Sequence, residues 1–186
     1  ADIVDGGLGN DSIFGEYGND FIYGKEGNDN LQGGHGNDVL MGGNGNDKLY
    51  GDIYRFSMIT GHEYTGMGDD ILEGGAGNDE LTGGRGSDTY MFGIGDGQDI
   101  VYDAGGTEVG VSDVISFKAG ISAEDIYLHR KSDDLYLRIN GTTDDITIKS
   151  FFYTGGGTVG AGVIEQVKFA DGTIWSESVL REKARH

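Results

Sequence analysis

Asp2, Asp11, Asp20, Asp29, Asp38 and Asp47 follow one another at nine-residue intervals, and Asp70, Asp79 and Asp88 resume the same interval after a gap. Two residues after each comes a large apolar or aromatic side chain: Val4, Ile13, Ile22, Leu31, Leu40, Leu49, Leu72, Leu81 and Tyr90. If two units make one coil of a solenoid, each aspartate stacks beneath the aspartate two units later. Such a column of carboxylates repels itself strongly. A hard divalent cation between the turns removes that repulsion, and oxygen-only donors point to calcium ahead of zinc or copper.

The element that carries these aspartates is a nine-residue unit, GGxGxDxUx, where U is the apolar residue. Full units begin at Gly6, Gly15, Gly24, Gly33 and Gly42, and again at Thr65, Gly74 and Gly83. Glycine in slots 1, 2 and 4 permits a tight turn with positive φ and leaves the carbonyls unshielded. Asparagine in slot 5 (Asn10, Asn19, Asn28, Asn37, Asn46, Asn78) also tolerates left-handed backbone. The last three slots form a short strand in which only U faces inward, because side chains alternate. Helix is excluded, since runs so rich in glycine lose too much backbone entropy. The chain starts in mid-repeat without an initiator Met, so it reads as a piece of a longer protein.

Composition agrees with a cation binder. The 186 residues include 37 Gly, no Pro and no Cys, and carry a net charge of −19. No disulfide framework is available. No apolar run approaches the ~20 residues of a membrane span. So acidic a surface repels phosphate backbones and makes nucleic acid an unsuitable partner. Nor does the sequence hold a GxSxG elbow or a phosphate-binding loop. The acid pairs Asp69-Asp70, Asp133-Asp134 and Asp144-Asp145 read as solvated turns or cation ligands rather than as catalytic dyads.

The nonapeptide resembles the calcium-binding repeat of the RTX family. Residues 86–103, 134–152 and 164–175 resemble the haemolysin-type calcium-binding related module that closes many RTX arrays. The resemblance implies an all-β fold: a right-handed parallel β-roll over 1–92, interrupted by an insertion at 51–64, and capped over 93–186 by a mostly antiparallel β module with a short terminal helix. It implies that the slot-6 carboxylates bridge roughly five to eight calcium ions. Main-chain carbonyls complete the shell, which implicates Gly6, Gly7, Gly9, Gly33, Gly34, Gly36, Gly42, Gly43, Gly45, Gly74, Gly75, Gly77, Gly83, Gly84 and Gly86. Glu16 and Lys25 replace the slot-2 glycine in two units, and Thr65 replaces the slot-1 glycine in another. The family also implies export by a type I secretion system, from a parent with upstream domains that is an adhesin, a toxin or a hydrolase.

Four further expectations concern the rest of the chain. The insertion either bulges out as a loop or replaces one unit, leaving units one to five and six to eight as separate stacks. Its His62-Glu63 lacks the second histidine of an HExxH motif, since Gly66 stands there, and Tyr54, Phe56 and Tyr64 pack over the break or form a ligand lip. Segments "DVISF", "DIYLHR", "DLYLRI", "DITIK" and "IEQVKF" predict antiparallel strands, with Ser176 capping a helix that bears Leu180. Ile115, Phe117, Ile126, Leu128, Leu135, Leu137, Ile146, Ile148, Phe151 and Trp175 supply a core that nucleates the roll. Finally, Ile3, Phe21 and Val39 in slot 7, beside Tyr23 and Met41, form an outward apolar ribbon that needs a partner.

Overall fold

A computed structural model describes residues 1–52, 54–56, 63–103, 110–153 and 164–185. Two eight-stranded sheets face each other. The first runs Ile3–Leu8, Phe21–Glu26, Val39–Asn44, Ile71–Ala76, Thr89–Phe92, Asp113–Phe117, Ile164–Lys168 and Ile174–Ser176. The second runs Ser12–Tyr17, Asn30–His35, Lys48–Asp52, Glu80–Thr82, Gln98–Val101, Asp145–Ile148, Asp134–Ile139 and Ile126–Lys131. Consecutive units alternate between the sheets, and each strand pairs in parallel with the strand one coil away, as in Ile3 with Phe21 and Ser12 with Asn30. This is a parallel β-roll.

The slot-8 residues Ile22, Leu31, Leu40, Leu49, Leu72, Leu81 and Tyr90 meet between the sheets with no exposed surface. Val4 and Ile13 are only half-buried, because no coil lies beyond them on that side of the described chain. All ten apolar residues expected to form the tail core are buried in one cluster with the roll core.

The insertion does not divide the array. Val39 pairs with Ile71 and Lys48 with Glu80, an offset of 32 residues where neighbouring coils show 18. The extra 14 residues enter inside a turn: Gly51 takes slot 1, while Gly66, Met67 and Gly68 complete the turn that ends at Asp70. Strands Tyr54–Phe56 and Glu63–Thr65 pair antiparallel as a hairpin, which brings the two ends of the insertion together so that the coil resumes in register. The expected pair of separate stacks is therefore corrected to a single continuous roll, and Thr65 belongs to the hairpin rather than to slot 1. The side chains of Tyr54, Phe56, Glu63 and Tyr64, and the whole of His62, lie outside the described residues.

The tail also departs from its expected pairing. Ile126–Lys131, Asp134–Ile139 and Asp145–Ile148 are antiparallel neighbours, as are Ile164–Lys168 and Ile174–Ser176. Yet Asp113–Phe117 pairs in parallel with Thr89–Phe92, Asp145–Ile148 with Gln98–Val101, and Ile164–Lys168 with Asp113–Phe117. Neither sheet breaks near residue 92, since the tail uses the last repeat strands as its template. Ser176 is extended ahead of the helix Glu177–Lys183, whose Leu180 is fully buried. Arg181 fastens that helix by donating to the Phe151 carbonyl at 3.0 Å, with its guanidinium 4.7 Å from the Phe151 ring centroid.

The outward ribbon is in register as Ile3, Phe21, Val39 and Ile71. Ile3 is 84% exposed and Ile71 37%, so the described tail residues leave both ends of the row uncovered. Phe21 is half-buried, with its ring 4.8 Å from that of Tyr23.

Candidate metal centre

Two columns of aspartate run along opposite edges of the roll. One holds Asp2, Asp20, Asp38, Asp70 and Asp88, and the other Asp11, Asp29, Asp47 and Asp79. Within each column one carboxylate oxygen, Oδ1, accepts the backbone N–H of the aspartate one coil earlier, at 2.6 to 2.9 Å. Asn10, Asn19, Asn28 and Asn46 do the reverse, each accepting the N–H of the slot-5 residue one coil later. Each coil is thus clasped from both sides by side chains, which register alone would not achieve.

The second carboxylate oxygen has a different position. Oδ2 of Asp11, Asp20, Asp29, Asp38, Asp47, Asp70, Asp79 and Asp88 is buried without a hydrogen-bond partner. Asp20 through Asp88 are at most 2% exposed, whereas Asp11 is half-buried and Asp2, at the open end, exposed. A buried anionic oxygen with no partner carries a large desolvation cost. Burial accordingly raises the carboxyls of Asp70 to about 8, Asp79 and Asp88 to about 7 and Asp38 to about 6. Repulsion between neighbours in each column adds to this, as between Asp70 and Asp88.

The glycines shape the space around these oxygens. A Cβ on slot-1 Gly6 would stand 2.8 Å from Asp11 Oδ2 and 2.9 Å from the Gly24 carbonyl oxygen. At Gly33, Gly42, Gly74 and Gly83 it would likewise collide with the Oδ2 of Asp38, Asp47, Asp79 and Asp88. Slot 1 is therefore glycine because the unit's own carboxylate oxygen stands beside it, joined at Gly6, Gly15, Gly24 and Gly42 by a carbonyl oxygen of the next coil. Gly7, Gly34, Gly43, Gly75 and Gly84 in slot 2, and Gly9, Gly36, Gly45, Gly77 and Gly86 in slot 4, all have positive φ. Glu16 and Lys25 hold slot 2 at φ 70° and 80°, so the turn survives both replacements. The Lys25 ammonium is drawn off to Asp5.

Gly36 shows how little latitude a turn has. Its φ is 117°, and a Cβ there would run into the Gly18 carbonyl oxygen of the preceding coil. Gly36→Ala should lower the melting temperature of the folded chain, at a cost of about 1–3 kcal/mol for the strained backbone. Ala in exposed Gly172, where φ is 90° with open space around it, isolates the φ contribution from the collision.

The residues present suit a hard cation. Buried orphan carboxylate oxygens, converging carbonyls and the absence of thiol or ring-nitrogen donors in the columns match calcium's preference for oxygen.

Sequence spacing missed two members of the columns. Asp99 and Asp113 are 3% exposed and accept the N–H of Asp79 and Asp88 at 3.0 and 2.7 Å. Burial raises the Asp99 carboxyl to about 8, and Asp113 moves the same way from burial and from nearby Asp103. The D-x-U signature was present in Asp99-Ile100-Val101 and Asp113-Val114-Ile115, but off the nine-residue interval. Beyond them the columns end. Glu165 accepts the Asp113 N–H at 2.6 Å, while Ile146 sits opposite Asp99.

Two families account for most of the chain. Residues 1–31, 23–53 and 64–99 match the RTX calcium-binding nonapeptide repeat (4 copies), and residues 134–178 match the haemolysin-type calcium binding protein related domain. The chain is an RTX calcium-binding repeat segment joined to a haemolysin-type calcium-binding related domain. It is similar to the iron-regulated protein FrpA of Neisseria meningitidis serogroup C, with 45% identity over 94 residues, 50% of this chain and 8% of that protein. The chain thus spans a small part of that relative's length. Among solved structures, it is 21% identical to the AlgE6R3 subunit of the Azotobacter vinelandii mannuronan C5-epimerase, covering 84% of this chain and 87% of that one with a TM-score of 0.43. The extracellular lipase LipA of Serratia marcescens is 21% identical over 80% of this chain and 37% of its own, with a TM-score of 0.31. Among the described residues no helix is long and apolar enough to cross a membrane.

Proposed function

We propose that this chain is a calcium-dependent folding module of a larger RTX protein exported by a type I secretion system, unfolded where calcium is scarce and folded outside the cell. The observation that carries the reading is the set of eight buried, unpartnered Oδ2 atoms spaced along two columns. Left charged and bare, they oppose the fold that buries them. Calcium supplies the missing positive charge. Asp2, Asp11, Asp20, Asp29, Asp38, Asp47, Asp70, Asp79 and Asp88 hold it through their carboxylates, together with the carbonyls of the glycine turns. The repeats over 1–92 form the responsive part. The region 93–186 continues both sheets, closes the core and acts as the nucleus on which the coils wind. Catalysis belongs to other domains of the parent, whether adhesin, toxin or hydrolase.

Counting bound ions tests this reading. Calorimetric titration of the calcium-free chain should show five to eight ions, and Asp47→Asn should remove one or two while leaving the tail folded. A count of zero or one in the wild type would overturn the proposal.

A further inference from the structure

The outer face of the second sheet changes character where the tail joins the roll. Strand register places Ile100, Thr147, Tyr136 and His129 side by side in one row, and Gln98, Asp145, Arg138 and Tyr127 in the next. Between them lies a shallow groove of about 360 Å³, lined by Gln98, Ile100, Tyr136, Arg138, Asp145 and Thr147. His129 stacks on Tyr136 with ring centroids 4.7 Å apart and planes 18° apart, and Tyr127 stacks on His129 at 5.9 Å. The buried Nδ1 of His129 has no hydrogen-bond partner among the described residues, and its ring lies stacked between those of Tyr127 and Tyr136. It covers one face of Tyr136, whose side chain lines the groove.

The polar groups on the groove wall are also unusual. Arg138 and Asp145 are register partners on adjacent strands, where burial raises the Asp145 carboxyl and the charges of His129 and Arg138 oppose that rise, yet among the described residues no ion pair or hydrogen bond closes the two side chains. Two lysines of the tail are paired instead: Lys149 holds Asp134 at 2.6 Å, and Lys118 holds Glu73 of the roll at 2.8 Å and Asp96 at 3.2 Å. A guanidinium only donates and a carboxylate only accepts. Standing side by side, they complement groups that do both, which are hydroxyls. A bound aliphatic ring with hydroxyls on its rim and C–H bonds on its face would meet donor, acceptor and aromatic plane at once. The single cation is balanced by the adjacent carboxylate, and the chain's net charge of −19 disfavours an anionic ligand.

We propose that this groove binds a neutral hexopyranose, with Tyr136 packing against the sugar face and Arg138 and Asp145 hydrogen-bonding vicinal hydroxyls. The groove reaches the second aspartate column at Asp99, which also lines it, and it adds recognition to a module otherwise concerned with folding. Amide chemical shifts of the full calcium-loaded chain test it, with methyl β-D-glucopyranoside, methyl β-D-galactopyranoside and methyl α-D-mannopyranoside as probes. At least one should shift the amides of Ile100, Tyr136 and Thr147 in a saturable way. Tyr136→Ala and Arg138→Gln should each weaken that binding about tenfold or more, because unpaired polar groups and a lost ring contact are left behind. Arg138 is exposed, so its variant folds in any case, and a far-UV spectrum matching wild type confirms this for both. No shift with any of the three glycosides, shifts that both variants leave unchanged, or binding confined to a methyl uronate would each overturn the proposal.

Discussion

Asp70→Ala should weaken the roll on both sides of the insertion. Asp70 Oδ1 accepts the Asp38 N–H at 2.7 Å from the coil before the hairpin, and the Asp70 N–H donates to Asp88 Oδ1 at 2.9 Å in the coil after it. Removing the carboxylate strands a buried Asp38 N–H, at about 1–3 kcal/mol. On the proposed calcium reading it would also remove a ligand of the ions on both sides, each worth about 1.4 kcal/mol when calcium is at ten times its Kd. Asp70→Asn separates the two contributions, since the amide oxygen keeps the acceptor and loses the charge. Hydrogen exchange should report faster opening at both Leu40 and Leu72 in the alanine variant. Asp133→Ala, in a half-exposed turn of the tail, should change neither. Opening confined to one side of the hairpin would restore the division into two stacks that the register excludes.

Without calcium, protons should partly take the cation's place. In the fold the Asp70 and Asp99 carboxyls rise to about 8, Asp79 and Asp88 to about 7 and Asp38 to about 6, chiefly from burial. In an unfolded chain aspartate titrates near 3.9. The folded state therefore binds more protons between those values, and its stability falls as pH rises through them. Each such carboxyl contributes about 1.4 kcal/mol per pH unit within its window, so two acting independently change stability by about 2.8 kcal/mol per unit. In EDTA, strand content should be greater at pH 5 than at pH 8. With saturating calcium the dependence should reverse, because the cation competes with protons for the same oxygens and binds more weakly as pH falls. A calcium-free chain that loses strand on acidification would contradict the burial of these oxygens.

How far the sequence alone leads differs between the two halves of the chain. In the repeats, spacing specifies everything that is local: the turn glycines, the aspartate columns and the inward Leu31, Leu40, Leu49, Leu72 and Leu81 all lie where period nine puts them. Period fails where the chain stops counting in nines. Asp99 and Asp113 enter the columns after steps of 11 and 14 residues, and only three-dimensional pairing restores their register. The entry point of the insertion was hidden for the same reason: Gly51 and Gly66 are far apart in sequence and adjacent in one turn. In the tail, alternation identifies strands and their buried faces, as at Leu135, Leu137, Ile146 and Ile148. Alternation is blind to partner direction, so the parallel pairing of Asp145–Ile148 with Gln98–Val101 could not be read from it. The groove beside Tyr136 depends on that pairing.

The central claim is that the repeats fold because calcium neutralises the aspartate columns. Five sites at about 1.4 kcal/mol each would add roughly 7 kcal/mol, comparable with the whole stability of a domain. The most direct measurement is the far-UV circular dichroism of the whole chain at neutral pH, in EDTA, in several millimolar magnesium and in several millimolar calcium. The account predicts a largely disordered spectrum in EDTA and in magnesium, and a cooperative gain of β signal with calcium. Equal β signal in EDTA and in calcium would contradict it.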